Sequence, residues 1–279
     1  MSIFSEYQKK HEFLICVDSD GCAMDTMDIK HIQCFGPCMV QEWNLEPWQE
    51  AILRRWNEIN LYTITRGINR FKALAMALEE INRQYAPIED LKSLTEWAAN
   101  AKELSNAAVE KAAKEQGSIC LAKALSWSKA VNESITQLPE AFKKPFEGVG
   151  EALKAAKERA DVAIVSSANP EAVLEEWGKY GLLESVDIVL AQNAGSKAFC
   201  IGEMLKQGYD KDHVLMIGDA PGDEQAAKKN DVLFYPILVR HEKESWEMFR
   251  ETILDEFIEG TYAGEKEARQ RERFVENLS

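Results

Sequence analysis

Phe13-Leu-Ile-Cys-Val17 runs directly into Asp18-Ser19-Asp20-Gly21, an apolar stretch that stops at two carboxylates two residues apart. A short β-rich run bounded by Gly and Asp reads as a strand covered on both faces, and Leu14, Ile15 and Val17 fit that role. Asp18 and Asp20 then stand just beyond its carboxyl end. In open α/β sheets that rim collects ligands, because the loops leaving neighbouring strands converge there. With both side chains turned to one pocket, Asp18 can act as a nucleophile or hard-metal ligand while Asp20 moves a proton. An aspartyl-phosphate of this kind splits one hard displacement into two easier ones. Taken alone, Asp-Ser-Asp-Gly suits a plain turn equally well, since all three residue types are favoured there.

The chain beyond Pro145 supplies context. Strands are predicted at 162–165, 186–190, 213–217 and 232–235, with helices between them: one carrying Val149, Ala152, Leu153 and Ala156, one begun by Pro170 and stopped by Gly181, one capped by Ser196, and one over 224–229. Alternating strands and helices with short links are the pattern of a doubly wound parallel sheet, a Rossmann-like α/β fold. The tail from Arg240 carries Trp246, Phe249, Ile253, Leu254, Phe257 and Ile258 at helical spacing and is expected to pack on the core. Beyond Gly264 it becomes highly charged.

Between these parts the sequence is poor in strand signals. Trp48, Ile52, Trp56 and Ile59 share one helical face, as do Phe71, Leu74, Ala75, Leu78 and Ile81. From 88 to 138 the chain is rich in Ala, Leu, Glu and Lys, with a break at Gln116-Gly117-Ser118, and reads as two longer helices. Residues 25–144 are therefore expected to form an all-helical insertion into an α/β core of 1–24 and 145–279. Trp97 and Trp127 are expected in its core. Arg66 and Arg70, four apart, can offer planar forks to an anionic substrate group, with Lys72 and His31 as weaker candidates; a solvated basic patch is the alternative.

The totals narrow the class. The 279 residues carry 33 Lys plus Arg against 47 Asp plus Glu, a net charge of −14, which argues against nonspecific binding to nucleic acid or an acidic membrane. A phosphate ligand must be captured by local features working against that field. No apolar run approaches the ~20 residues of a membrane span, and the first ten residues lack a signal-peptide core, so a cytoplasmic location is expected. Cys16, Cys22, Cys34, Cys38, Cys120 and Cys200 lack paired Cys-x-x-Cys spacing and read as free thiols.

Each later strand ends in a distinct polar loop. Ser166 follows Val165 and precedes a helix, so its hydroxyl and the amides of Ser167 and Ala168 can cradle a phosphate. Lys197 can hold Asp18 and a phosphoryl group in register, and Asp219 and Asp223 offer oxygens to a hard cation such as Mg2+. In this order, Asp18-x-Asp20-Gly21-x-x-x-Asp25, Ser166, Lys197 and Gly218-Asp219-x-x-x-Asp223 resemble the four motifs of the haloacid dehalogenase-like hydrolase superfamily. The helical insertion sits where that superfamily carries a mobile cap.

The resemblance implies Asp18 as nucleophile and Asp20 as general acid and base, with Ser166 or Ser167 and Lys197 contacting phosphate. It implies Mg2+ held by Asp18, Asp219 and the Asp20 backbone carbonyl, and Asp223 supporting the metal or Lys197. An Asp at position 20 resembles the phosphatases and phosphomutases of the superfamily, where dehalogenases carry Tyr and phosphonate hydrolases Ala. Cys22 stands where Thr is commoner. The activity implied is Mg2+-dependent hydrolysis of a small phosphorylated metabolite; a phosphomutase and a noncatalytic phosphate-ligand sensor or scaffold are the alternatives, and the oligomeric state is not readable.

Overall fold

The computed structural model describes residues 3–279. The chain divides into two compact units: the described residues up to Met27 together with Glu140–Ser279, and Asp28–Pro139.

The first unit is built on five parallel strands, β1 (Leu14–Val17), β2 (Asp161–Val165), β3 (Ile188–Leu190), β4 (Val214–Gly218) and β5 (Leu233–Pro236), in the order β3-β2-β1-β4-β5. All residues of β1, β2 and β4 are buried, which is why these strands appear as unbroken apolar runs rather than alternating ones. β1 is central, paired through Val17–Ile164 on one side and Val17–Ile217 on the other. The chain builds outward from β1 through β2 to β3, then returns to place β4 on its other side. The strand order thus reverses between β1 and β4, the position where open α/β sheets leave a crevice at their carboxyl ends.

The tail helix predicted from Trp246 onward is interrupted: Glu242–Met248 and Leu254–Ile258 flank a π-helical turn, Phe249–Ile253. Its apolar face is nevertheless the expected one, with Trp246, Phe249, Ile253, Leu254 and Phe257 all buried. The charged terminal stretch forms a helix, Glu265–Asn277, that buries Phe274 against Phe234 of β5 with ring centres 5.5 Å apart.

The second unit is helical throughout. Ile52, Trp56 and Ile59 are buried together with the whole predicted stripe of Phe71, Leu74, Ala75, Leu78 and Ile81, while Trp48 stays 37% exposed. Phe35, Trp56, Phe71, Trp97 and Trp127 form one aromatic core, with Trp127 lying 6.0 Å from both Phe35 and Trp56 and 6.2 Å from Phe71. The buried Trp127 indole donates to the Phe35 carbonyl at 3.1 Å, so no polar atom of that ring is stranded. The segment read as two long helices holds three: Leu91–Asn100, Asn106–Gln116 and Ile119–Thr136. The extra break lies at 101–105, where no Gly or Pro stands. Ser105 makes it, its hydroxyl accepting from the Ala108 amide at 3.2 Å as an N-cap. Among the described residues no helix is long and apolar enough to cross a membrane, and all six cysteines are free thiols.

Asp187, just before β3, ties several parts of the first unit. Its side chain is 2% exposed and accepts from Lys10 at 2.8 Å, from Lys157 and from the Val162 amide at 2.9 Å. Burial alone would raise its pKa; the Lys10, Lys157 and Val162 donors outweigh that and hold it below the ordinary carboxyl value. A depressed carboxyl stabilises the fold above its unfolded pKa, near 3.9, and loses that contribution as pH falls through the folded value. Asp187→Asn is therefore expected to lower the unfolding free energy by about 1–2 kcal/mol at neutral pH, with the two urea curves converging in acid. A difference that persists undiminished at about pH 3 would refute the ion-pair account.

Candidate active site

The register of β1 against β4 sets the site. Val17 lies opposite Ile217, and the Asp18 amide continues the ladder by donating to the Ile217 carbonyl at 3.0 Å. Asp18 and the residues after Gly218 therefore leave the sheet side by side. The Asp18 carboxylate is 6% exposed; one oxygen accepts from the Ser19 amide at 2.7 Å and the other meets the Lys197 Nζ at 2.7 Å. Lys197 opens the helix Lys197–Leu205, whose N-cap is the Ser196 hydroxyl accepting from the Phe199 amide at 3.2 Å.

The same ammonium group donates to Asp223 Oδ1 at 2.5 Å. Asp223 is fully buried, and its other oxygen accepts from the Ala220 amide at 3.1 Å at the start of the helix Pro221–Asn230. Gly218 makes room for it: a Cβ at that position would stand 2.3 Å from the Asp223 Cγ and 2.4 Å from its Cβ. Asp219, 1% exposed, completes a group in which Asp18, Asp219 and Asp223 each present an oxygen within 4.8 Å of the others.

With all four ionised, these three carboxylates and one lysine carry a formal charge of −2 in a buried place. Burial pushes the Asp18 carboxyl up to about 7, Lys197 opposing and Asp223 adding to it, and burial likewise raises Asp223. Burial works against the Lys197 ammonium, but Asp18 and Asp223 outweigh it and hold its pKa above the ordinary value. The remaining charge and the all-oxygen donor set fit one hard divalent cation.

Asp20 is not one of that group. Its Oδ1 accepts from the buried Thr26 hydroxyl at 2.6 Å, which fixes the carboxyl within its own loop. The loop is wound tightly: the Ser19 carbonyl receives the amides of Cys22, Ala23 and Met24, and Gly21 takes the left-handed conformation at φ 82° that disfavours a side chain. Two indoles clamp it, Trp177 donating to the Ser19 hydroxyl at 2.9 Å and Trp246 to the Cys22 carbonyl at 3.0 Å. Cys22 is buried with its thiol 3.7 Å from the Ile217 carbonyl and fills space. Thr26, Trp177 and Trp246 carry no motif signal: Thr26 meets Asp20 only because the loop winds back, and the two tryptophans reach it from other elements.

Of the two serines after β2, Ser166 is buried and Ser167 exposed. The Ser166 hydroxyl accepts from the Ala168 amide at 3.1 Å, so that amide is already engaged. In the helical unit, Arg66 precedes the helix Arg70–Gln84 instead of belonging to it, and a spacing of four does not place the two arginines on one helical face. Arg66 is buried, donating to the Leu61 carbonyl at 2.8 Å with Asp28 3.8 Å away. Lys72 is exposed, and His31 stacks on Phe35 with ring centres 4.5 Å apart.

The family model described as haloacid dehalogenase-like hydrolase matches residues 68–236, more than half of the chain. The chain belongs to this family. Members of the haloacid dehalogenase-like hydrolases are enzymes, and the family typically uses a divalent metal, in keeping with the acidic cluster. No curated protein matches the chain. Among solved structures, a provisional phosphoglycolate phosphatase from Lactobacillus delbrueckii subsp. bulgaricus is similar at 14% identity and a TM-score of 0.51, over 81% of this chain and 86% of that one. A provisional β-phosphoglucomutase from Thermotoga maritima matches at 15% identity and a TM-score of 0.48, over 80% and 84%. At 14% identity the first of these likenesses speaks for the fold alone.

Gly218→Ala tests the packing behind the cluster. The added methyl displaces Asp223, and the expected cost is about 1–3 kcal/mol in urea unfolding. An unchanged stability would mean that Asp223 moves aside freely.

Proposed function

We propose that the protein is a Mg2+-dependent phosphatase acting on a small phosphorylated metabolite through an aspartyl-phosphate. The observation that carries this reading is the Asp18 carboxylate held at 2.7 Å by Lys197, itself anchored on Asp223, at the carboxyl end of the central strand. A carboxylate oriented by a fixed cation, with Asp20 two residues on, has the parts for nucleophilic attack and proton transfer.

In the first step Asp18 attacks phosphorus, the phosphorus–oxygen ester bond breaks, and Asp20, protonated, gives its proton to the leaving alcohol. In the second, Asp20 takes a proton from water, the water oxygen bonds to phosphorus, and phosphate leaves with Asp18 regenerated. Thr26, bonded to the Asp20 carboxyl, orients the group that carries the proton. Lys197 and the Ser166 hydroxyl would meet the phosphoryl oxygens, with Ser167 at the loop's exposed side. Mg2+ held by Asp18, Asp219 and the Asp20 backbone carbonyl, with Asp223 in support, would supply positive charge to those oxygens. We assign the helical unit the role of a cap that excludes bulk water. A cytoplasmic setting suits the six free cysteines, thiols being stable in reducing compartments.

Phosphate release from a panel of phosphomonoesters, with and without Mg2+, tests the reading. Turnover is expected to require the metal and to fall about 1,000-fold or more in Asp18→Asn. A folded Asp18→Asn protein with the wild-type rate would falsify it. Thr26→Val should lower kcat by about 10- to 100-fold while leaving the metal requirement in place; a kcat within twofold of wild type would remove Thr26 from the proton path.

A further inference from the structure

Ser19 stands between the two acids that follow β1 and is fully buried. All three of its polar groups are engaged. Its amide donates to Asp18 Oδ1 at 2.7 Å, its carbonyl receives the amides of Cys22, Ala23 and Met24 at 3.3, 3.0 and 2.8 Å, and its hydroxyl accepts from the Trp177 indole at 2.9 Å. The Asp18 amide still bonds across the sheet, to the Ile217 carbonyl at 3.0 Å, whereas the Ser19 amide has turned from the sheet to the Asp18 side chain. Trp177, near the end of the helix Pro170–Lys179, thus holds the residue at which the support of the sheet stops.

The needs of a buried indole do not by themselves account for this pair. Among the described residues the buried Trp56 nitrogen has no partner, and Trp127 and Trp246 donate to backbone carbonyls. A hydroxyl at a fully buried position costs free energy unless it is bonded, so alanine would suit position 19 better were the side chain idle. The use of the pair lies in what Ser19 controls. Rotating Ser19 away from Trp177 would carry its amide off Asp18 Oδ1. It would also carry its carbonyl off the three amides that wind the loop towards Thr26, whose hydroxyl holds Asp20.

We infer that Trp177 is a positioning residue for the reaction: through Ser19 it sets the direction of the Asp18 carboxylate and the path of the loop that carries Asp20. This rests on the phosphatase reading, with Asp18 as nucleophile and Asp20 as acid and base. Trp177→Phe removes the N–H and keeps most of the ring, and Ser19→Ala removes the acceptor. At saturating Mg2+ each is expected to lower kcat about tenfold or more with KM within about twofold of wild type. The double variant should lose little beyond either single one, because both changes break one bond. Val173, buried one turn earlier on the same helix, supplies the control. Val173→Ala takes apolar volume from the core without removing a hydrogen bond, and should lower stability in urea while leaving kcat within about twofold.

A kcat within about twofold of wild type in folded Trp177→Phe or Ser19→Ala protein overturns the proposal. So do losses that multiply in the double variant, or an equal loss in Val173→Ala, which would reduce Trp177 to packing. Should Trp177→Phe not fold, Ser19→Ala decides by the same criterion. Calorimetric titration with Mg2+ reads the site without turnover, since Asp18 belongs to the carboxylate group that would hold the ion. Affinity is expected to fall about tenfold in Trp177→Phe and in Ser19→Ala and to stay unchanged in Val173→Ala. That pattern supports the positioning role even where wild type hydrolyses no phosphomonoester, which would count against the phosphatase alone. Where nothing is hydrolysed, equal affinities in wild type and variants, or no binding at all, overturn it.

Discussion

One ammonium group between two buried carboxylates is the constraint on which the rim of the sheet depends. Like charges about 4 Å apart repel by about 4 kcal/mol at an effective dielectric of about 20, so Asp18, Asp219 and Asp223 cannot be gathered in a buried place without positive charge among them. Lys197 supplies one unit of it, bridging Asp18 and Asp223. Asp223 can take its place only because Gly218 lacks a side chain and the Ala220 amide receives its second oxygen. Positions 18 and 197 and the segment 218–223, drawn from three distant parts of the chain, thus form one electrostatic and steric unit, with a divalent cation as the natural complement of the charge that Lys197 leaves.

The sheet gives that unit its rigidity. β1 is hydrogen-bonded on both sides and buried on both faces, and the ladder to β4 extends one residue further into the Asp18 amide. Beyond it the loop of residues 19–26 has no sheet to hold it. Its own amides fold back on the Ser19 carbonyl, and the Trp177 and Trp246 indoles clamp it from the helices Pro170–Lys179 and Glu242–Met248. Large apolar rings with one polar tip suit this work, because the body anchors in the core while the N–H fixes a backbone or hydroxyl oxygen.

The helical unit is organised differently, around aromatic contacts instead of strand pairing. Its two π-helical turns, His31–Phe35 and Glu58–Tyr62, border that aromatic cluster, and the first brings Phe35 under the Arg70 guanidinium. Such turns recur at functional positions because they displace side chains from the regular helical face. Arg70 owes its orientation to this packing, not to its spacing from Arg66.

Much of the fold was legible in the sequence because parallel strands buried on both faces leave unbroken apolar runs, and because Asp18, Ser166 and Asp219 follow such runs within one or two residues. Helix faces were legible for the same reason: Phe71 to Ile81 repeats at the period of a helix that buries one side. What failed to show were features set by individual hydrogen bonds, some of them to partners far along the chain. Ser105 starts a new helix after a break that no Gly or Pro marks. Thr26 reaches Asp20 only after the loop winds back, and Trp177 and Trp246 meet it across 158 and 224 residues. Local composition by itself determined the strands, the helices and the acids at the rim, since burial and periodicity are written residue by residue. Which acids share a lysine, and which indoles clamp the loop of residues 19–26, only the tertiary structure decided, because such pairing depends on distance in space.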